Sequence, residues 1–243
     1  MKLHILAIAA HPDDIELSCA GTLIKHASAG QAVGIIDLTQ GELSTRGTVE
    51  LRHEEAQKAA LVIGAAVRHN LKMADGFFRN DEEHQRMLIP YIRRYQPDIV
   101  IANALADRHP DHGRGGRLIA DACFYAGLRK IETAWEGQPQ EPWRPKRVYH
   151  CIQDRHYEPT FIVDITDTFS KKQEAIRCYA SQFHNPSSHE PLSYIATEGF
   201  FESLIHKDGI FGKRIGVKYG EGFISENIPG INSLDDLVLP EIA

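Results

Sequence analysis

Apolar positions along the first half of the chain alternate between two periods. Leu3–Ala9 (LHILAIA) is a short, nearly continuous apolar run, the pattern of a parallel strand covered on both faces. Leu17–Ala29 reads as a helix, and Gly30 is placed to end it. Ala32–Leu38 predicts a second strand, and Val49–Ile63, rich in Ala, Glu and Lys with Gly64 just beyond, predicts a second helix. A weaker strand follows at Ala66–Leu71, then a helix over Asp81–Tyr95 that the Gln96-Pro97 step stops. Asp98–Leu105 predicts a fourth strand, and Gly116–Ala126 a helix closed by Gly127. Such alternation implies an α/β fold with right-handed crossovers. The expected architecture is a Rossmann-like, open, mostly parallel sheet with helices on both faces.

Beyond residue 130 the rhythm changes. Glu136–Pro145 is a Pro-rich loop, Arg147–Gln153 and Thr160–Ile165 predict further strands, and Thr168–Ser181 predicts a helix. Ser187–Ser193 reads as a polar loop and Thr197–Lys207 as a helix, and the tail from Ser225 shows little periodicity. With no repeat, low-complexity tract or linker, the expectation is one domain over residues 1–243 with an elaborated C-terminal third.

Composition narrows the class. The apolar fraction of 42% and charged fraction of 25% allow a full core. No stretch is long and apolar enough for a transmembrane helix. The start, MKLHILAIAAHPDD, reads as a strand rather than a signal peptide, because acidic residues stand where a cleavage site should lie. Four Cys (Cys19, Cys123, Cys151, Cys178) without a CxxC predict neither a disulfide framework nor a zinc knuckle, and a reduced, cytoplasmic setting is expected. A net charge of −6 gives no reason to expect a nucleic-acid partner. The unusual count is 13 His, so their positions have to decide what they do.

Two His/Asp loops follow directly from predicted strands. Ala10-His11-Pro12-Asp13-Asp14 follows the first, and Asp107-Arg108-His109-Pro110-Asp111-His112 follows the fourth. In a doubly wound order 3-2-1-4-5 these strands are neighbours, and ligands bind at their carboxyl ends where the winding reverses. The two loops should therefore face one crevice. Taken singly, HPD is a common turn and Asp before a helix is a good N-cap. Taken together, the residues suit a catalytic zinc, which takes three N/O ligands and leaves one position to water. His11, Asp14 and His112 form that set, and the same set with an open position also suits Fe(II). Asp13 remains as a free carboxylate for a general base, and His109 as an imidazole that steadies an oxyanion in its protonated form or protonates a leaving group. Asp111 either caps the following helix or orients a ligand histidine.

Competing motifs fail. Gly113-Arg114-Gly115-Gly116 imitates a phosphate loop, but Leu118 stands where GxGxxG needs Gly, and no GxxxxGK[ST] exists. His53-Glu54 begins like HExxH but meets Gln57, and there is no GxSxG elbow.

With these residues the sequence resembles the PIG-L/LmbE-like zinc-dependent N-acetylglucosaminyl deacetylases. AHPDD runs into IELSCAGT, and RHPDH matches the family's second motif. GELSTRGTVELR (Gly41–Arg52), YASQF (Tyr179–Phe183), TEGFFE (Thr197–Glu202), FGKRIGV (Phe211–Val217) and YGEGF (Tyr219–Phe223) resemble the bacillithiol-biosynthesis branch. The resemblance implies removal of the acetyl group from N-acetylglucosaminyl malate. A related deacetylase acting on another N-acetylglucosaminide or a thiol conjugate is the alternative. It also implies one Zn2+ per chain on His11, Asp14 and His112, with Asp13 as base and His109 assisting. Arg52 and Arg108 match arginines associated with the substrate, where a guanidinium fork suits a carboxylate or sugar hydroxyls. Arg46 is a further candidate, with a structural ion pair as its other reading. Phe200 stands where some relatives carry Tyr, so Tyr194 and Tyr219 are considered for that hydroxyl. Asn185–Pro191, with His184 and His189, is expected at the rim of the site. The implied partners are a small amino-sugar substrate and further copies of the chain, a hexamer being one arrangement, with no nucleic acid and no membrane.

Overall fold

In the computed structural model, which describes residues 1–238, every strand and helix expected before residue 130 is present. They are β1 (Ile5–Ala9), α1 (Asp14–Ser28), β2 (Val33–Thr39), α2 (Val49–Ile63), β3 (Val67–Met73), α3 (Glu82–Tyr95), β4 (Ile99–Ala102) and α4 (Pro110–Ala126). Then come a two-residue hairpin of β5 (Ala134–Trp135) and β6 (Gln138–Pro139), β7 (Arg147–Cys151), β8 (Phe161–Asp164), α5 (Phe169–Arg177), α6 (Phe200–Arg214) and β9 (Gly220–Ile224). The main sheet runs β3-β2-β1-β4-β7-β9-β8. Its first five strands are parallel, whereas β9 runs antiparallel to both β7 and β8. The fold is thus an open, mostly parallel α/β sheet whose winding order reverses between the parallel neighbours β1 and β4.

Strand β1 shows why both faces are covered. Leu6 and Ile8 pack with Leu88 and Ile92 of α3 and Leu118 and Ile119 of α4. Ile5, Ala7 and Ala9 pack on the other face with Ile15, Leu23 and Ile24 of α1 and Ala175 of α5. All five β1 residues are buried, so neither face could be polar and the run had to be continuous.

Beside the unexpected β5–β6 hairpin and an α6 that runs on past Lys207 to Arg214, three departures from the sequence expectation stand out. Helix α1 begins at Asp14 rather than Leu17, and α4 at Pro110 rather than Gly116. In α4 the glycines allow close approach. A Cβ on Gly116 would lie 2.8 Å from the Asn103 carbonyl oxygen, and one on Gly113 3.0 Å from that of Leu105. His109 is the N-cap of α4, and Pro110 occupies its first turn. The third departure is β9, whose sequence GEGFI has too few apolar positions to read as a strand. A Cβ on Gly220 would come within 2.6 Å of Ile162, so the strand must be glycine there. Among the described residues no helix is long and apolar enough to cross a membrane, and all four cysteines are free.

Glu221 of β9 ties the elaborated third to the first helix. Its carboxylate accepts from the Gly21 and Thr22 amides at 2.9 and 2.7 Å and lies 2.9 Å from the Lys172 ammonium. Lys172 also pairs with Asp208 at 2.7 Å, and all three side chains are buried. Glu221→Ala should therefore cost about 3–5 kcal/mol, because it leaves buried donors and part of a buried charge unpaired. Urea unfolding measures the loss, and a change below about 1 kcal/mol would contradict this account.

Candidate active site

Both His/Asp loops leave the carboxyl ends of adjacent strands, and Asn103 at the end of β4 joins them. Its Oδ1 accepts from the Ala10 amide at 2.7 Å. Its Nδ2 donates to Asp14 Oδ2 at 3.1 Å and to Gln153 Oε1 at 2.9 Å. Asp14 also accepts from the His11 amide at 3.0 Å. Its two oxygens lie 3.0 Å from His112 Nε2 and 3.5 Å from His11 Nδ1. Asp14 therefore stands between the two histidines.

Each histidine is turned by a carboxylate on its far side. His11 Nε2 lies 3.0 Å from Asp75 Oδ1 and 3.4 Å from Asp111 Oδ2. His112 Nδ1 lies 2.5 Å from Asp107 Oδ2. With those nitrogens donating outward, Nδ1 of His11 and Nε2 of His112 face Asp14, where release of their protons would free lone pairs for a metal. Metal-binding histidines are oriented in this way, so the donor set fits a divalent cation held by His11, Asp14 and His112. One nitrogen each of His11, His109 and His112 lie within 4.8 Å of one another, as do His11, Asp75 and Asp111 ligand atoms. The second group is better read as orienting His11. Asp111 is already engaged by the Gly76 amide at 2.8 Å and by Arg114 at 2.8 Å, and Asp75 by the Leu43 amide at 2.9 Å.

The electrostatics follow from this crowding of acids. Burial opposes protonation of His11, but hydrogen bonds to Asp111, Asp14 and Asp75 outweigh it and hold the group well above the ordinary histidine range. Burial likewise opposes His112, which Asp14 and Asp107 nevertheless push up to about 9. His109 differs: burial, then His11 and His112, lower it. Its Nδ1 accepts the Asp111 amide at 3.3 Å as the helix cap. The proton of a neutral His109 is therefore on Nε2, which makes it a donor without the protonated form the sequence reading called for.

Asp13 is set apart from this group. Its backbone has φ 108°, a left-handed conformation that costs a non-glycine residue about 1–3 kcal/mol. Arg52 holds it there. Arg52 Nη2 lies 2.7 Å from Asp13 Oδ2 and 2.6 Å from the Pro12 carbonyl oxygen, which Nε also reaches at 3.0 Å. Burial pushes the Asp13 carboxyl up to about 6, with Arg52 pulling the other way.

A cavity of about 700 Å³ opens over these residues and is lined by His11, Asp13, Asp14, Arg52, Arg108, His109 and His112. Arg108 lies 4.0 Å over the Tyr194 ring, and the Tyr194 hydroxyl donates to Asp154 at 2.8 Å. Arg46 takes a different place. It is buried, does not line the cavity, and donates to the Ser181, Glu190 and Pro191 carbonyls and to Ser188, anchoring the 181–191 loop. Arg52, expected at substrate, has most of its donors committed to Pro12 and Asp13. Phe200 lines the cavity, as does Tyr194, while Tyr219 stacks on Phe169 outside it. His184 belongs to a second, smaller pocket with Asn185 and Pro186.

Sequence reasoning assigned no role to Asp75, Asn103, Asp107 or Gln153. Asp107 lay inside the quoted second loop, where its spacing to His112 was the one available signal. Nothing local marks the other three.

The fold and site define an α/β protein with a candidate divalent-metal site at the switch point of its sheet, beside a carboxylate outside that set, Asp13, and the His109 imidazole. Residues 6–123 match the family model described as PIG-L, GlcNAc-PI de-N-acetylase. The chain is similar in structure to the conserved protein TT1542 from Thermus thermophilus, with a TM-score of 0.85 and 33% identity, covering 96% of this chain and 98% of that one. The chain belongs to the PIG-L family. The diacetylchitobiose deacetylase of Thermococcus kodakarensis is 27% identical, covering 93% of this chain and 84% of that protein. The 4-oxalmesaconate hydratase of Pseudomonas putida is 29% identical over 74% of each. A probable N-acetyl-alpha-D-glucosaminyl L-malate deacetylase of Bacillus anthracis is 24% identical, covering 74% of this chain and 81% of that protein.

If Asp107 sets the direction of His112, Asp107→Ala should weaken metal binding about 10–100-fold. His112→Ala should remove it more completely. Competition with a chromophoric chelator measures both, and an Asp107 variant with wild-type affinity would sink the assignment.

Proposed function

We propose that the chain is a divalent-metal-dependent deacetylase that hydrolyses the acetamide of an N-acetylglucosaminide, with N-acetylglucosaminyl malate as substrate in bacillithiol biosynthesis. The observation that carries this reading is the division of roles within one crevice. Two imidazoles are turned toward Asp14 by carboxylates, while Asp13 stands beside them, clamped by Arg52 and outside that set. Zn2+, one per chain on His11, Asp14 and His112, is the metal that suits these ligands, and it would polarise the acetamide carbonyl and ease ionisation of water.

The residues divide the remaining work. Asp13 accepts the proton of the attacking water as the C–O bond forms. His109 donates its Nε2 hydrogen toward the developing oxyanion, a contribution worth about 3–4 kcal/mol per donor in other hydrolases. The proton on Asp13 then moves to the departing nitrogen as the C–N bond breaks, releasing acetate and the free amine. Arg52 holds Asp13 in its strained conformation throughout, and Arg108 contacts the substrate from the rim. On this reading the protein works on a small molecule, as a single-domain cytoplasmic homo-oligomer.

The same machinery would deacetylate other N-acetylglucosaminides, and the 27% identity to a diacetylchitobiose deacetylase supports a chitin disaccharide as the second reading. A panel with amine detection separates the two. Acetate release from N-acetylglucosaminyl malate should stop with a chelator and return with zinc. Failure to release acetate from any N-acetylglucosaminide would overturn the deacetylase reading and favour a lyase-type reaction such as hydration.

Asp13→Asn should keep metal near one equivalent and lower turnover by at least about a hundredfold, the upper scale of general-base effects being larger still. Turnover within about tenfold of wild type would remove Asp13 as base. Arg52→Gln should lower kcat at least about tenfold with little change in KM, since misplacing the base by a fraction of an ångström is costly. A rise in KM alone would return Arg52 to substrate binding.

A further inference from the structure

Two stretches that the family resemblance singles out, Gly41–Gly47 and Tyr179–Phe183, supply none of the acid, base or metal groups. In the fold they lie against each other and against the face of α2 that carries Arg52. Ser181 donates from its amide and its hydroxyl to the two oxygens of Glu55, at 2.8 and 2.7 Å. Glu55 stands three residues after Arg52 on α2, on the same face. The Tyr179 ring centroid lies 5.8 Å from the Arg52 guanidinium carbon. Gly47, at φ 71°, lets the 41–47 loop close on this segment, since a Cβ there would stand 2.9 Å from Ser181 Oγ.

Gln182 joins the two stretches and fixes the direction of the protons between them. Its Nε2 donates to the Arg46 carbonyl oxygen at 2.9 Å and to Ser181 Oγ at 2.8 Å. A carbonyl can only accept, so the amide nitrogen must face Arg46 and Oε1 must face Ser44. Ser44 Oγ therefore donates to Gln182 Oε1, at 3.0 Å. With its one hydrogen placed there, Ser44 keeps its lone pairs for donors, and Arg52 Nη1 lies 3.4 Å away. Gln182 is buried, and both of its amide hydrogens are committed.

The Arg52 fork is thus engaged on both sides. Pro12 and Asp13 take hydrogens of Nε and Nη2, and Ser44 stands at Nη1. Removing Ser44, or turning its hydroxyl by removing Gln182, leaves the fork held on one side only.

We propose that Gln182 and Ser44 are positioning residues for the general base, holding Asp13 in place through Arg52. The inference rests on the deacetylase reading above and traces the support of its base back to the 179–183 segment. Their effect falls on kcat rather than KM, because a misplaced catalytic group slows the chemical step without weakening ground-state binding.

The experiment is a double-mutant cycle on the zinc-loaded enzyme, read by acetate release from N-acetylglucosaminyl malate and from diacetylchitobiose. Ser44→Ala, at an exposed position, should lower kcat about threefold to tenfold with KM within about twofold of wild type and metal still near one equivalent. Gln182→Leu should act in the same direction, and Ser44→Thr should restore most of the rate that Ser44→Ala loses. In an Arg52→Gln background Ser44→Ala should have no further effect, since the residue it acts through is gone. A second readout needs no turnover. Solvent exchange of the Arg52 Nε hydrogen, followed by nitrogen-15 NMR and assigned by its loss in Arg52→Gln, should be about threefold faster in Ser44→Ala. A rise in KM alone, an unchanged kcat, or a full loss persisting in the Arg52→Gln background would overturn the relay while leaving the deacetylase reading standing. No acetate from either substrate with wild type would overturn that reading, and the exchange rate would then decide the relay, an unchanged rate overturning it as well.

Discussion

A buried carboxylate with too many suitors organises this molecule. Asp14 is almost excluded from solvent, yet it meets the His11 amide, the Asn103 side chain, His112 and His11. Burying a carboxylate is costly unless it is paired and hydrogen-bonded. The surrounding structure supplies those partners from three separate segments. Burial raises its pKa, but His112 and His11 more than reverse this and hold Asp14 well below the usual carboxylate range. Because Asp75, Asp111 and Asp107 fix the far nitrogens of those histidines, neither ring is free to turn away. The arrangement has one direction: the outward protons are fixed, and a cation binding Asp14 would displace the inward ones and take their place.

Next to this set, the chain accepts strain to keep one carboxylate out of it. Asp13 and Asp14 are consecutive, but only Asp14 belongs to the histidine set. The left-handed backbone at Asp13 sends its carboxylate to Arg52 instead. Arg52 comes from α2, whose start is fixed by the Thr48 cap, so a helix on one face of the sheet decides where the base candidate stands. This is strain with a chemical return, since it separates a proton acceptor from the metal ligands by geometry alone.

The last third of the chain does two jobs at once. Glu221 and Lys172 lock β9 and α5 against α1 through buried charge, while α6 and the 152–156 segment supply part of the cavity wall. Arg46 anchors the 181–191 loop, and that loop leads to Tyr194, over which Arg108 lies. The part of the cavity lined by His11, Asp14 and His112 is built by the strands and helices of the first half. Another part of its wall comes from segments that the parallel sheet does not itself require.

How much of this the sequence carried divides along physical lines. Periodicity alone located the strands and helices of the first half, because a strand covered on both faces must be apolar throughout and a surface helix must not. The two His/Asp loops were legible for the same reason, since they sit where apolar runs end and adjacent strands were expected to meet. The start of α4 was not, because glycines that allow close approach look like helix breakers in isolation. Strand β9 escaped because its glycines and its inward Glu221 answer to neighbours far along the chain. Arg52 and Arg46 looked like substrate contacts from their motif, and only tertiary structure could commit their donors to Asp13 and the 181–191 loop. Asp75, Asn103 and Gln153 have no local signature, since a side chain that orients another acts through space. Sequence by itself named the candidate residues of the two loops. Folding decided which of them face each other and which are held back, because those contacts join segments far apart along the chain.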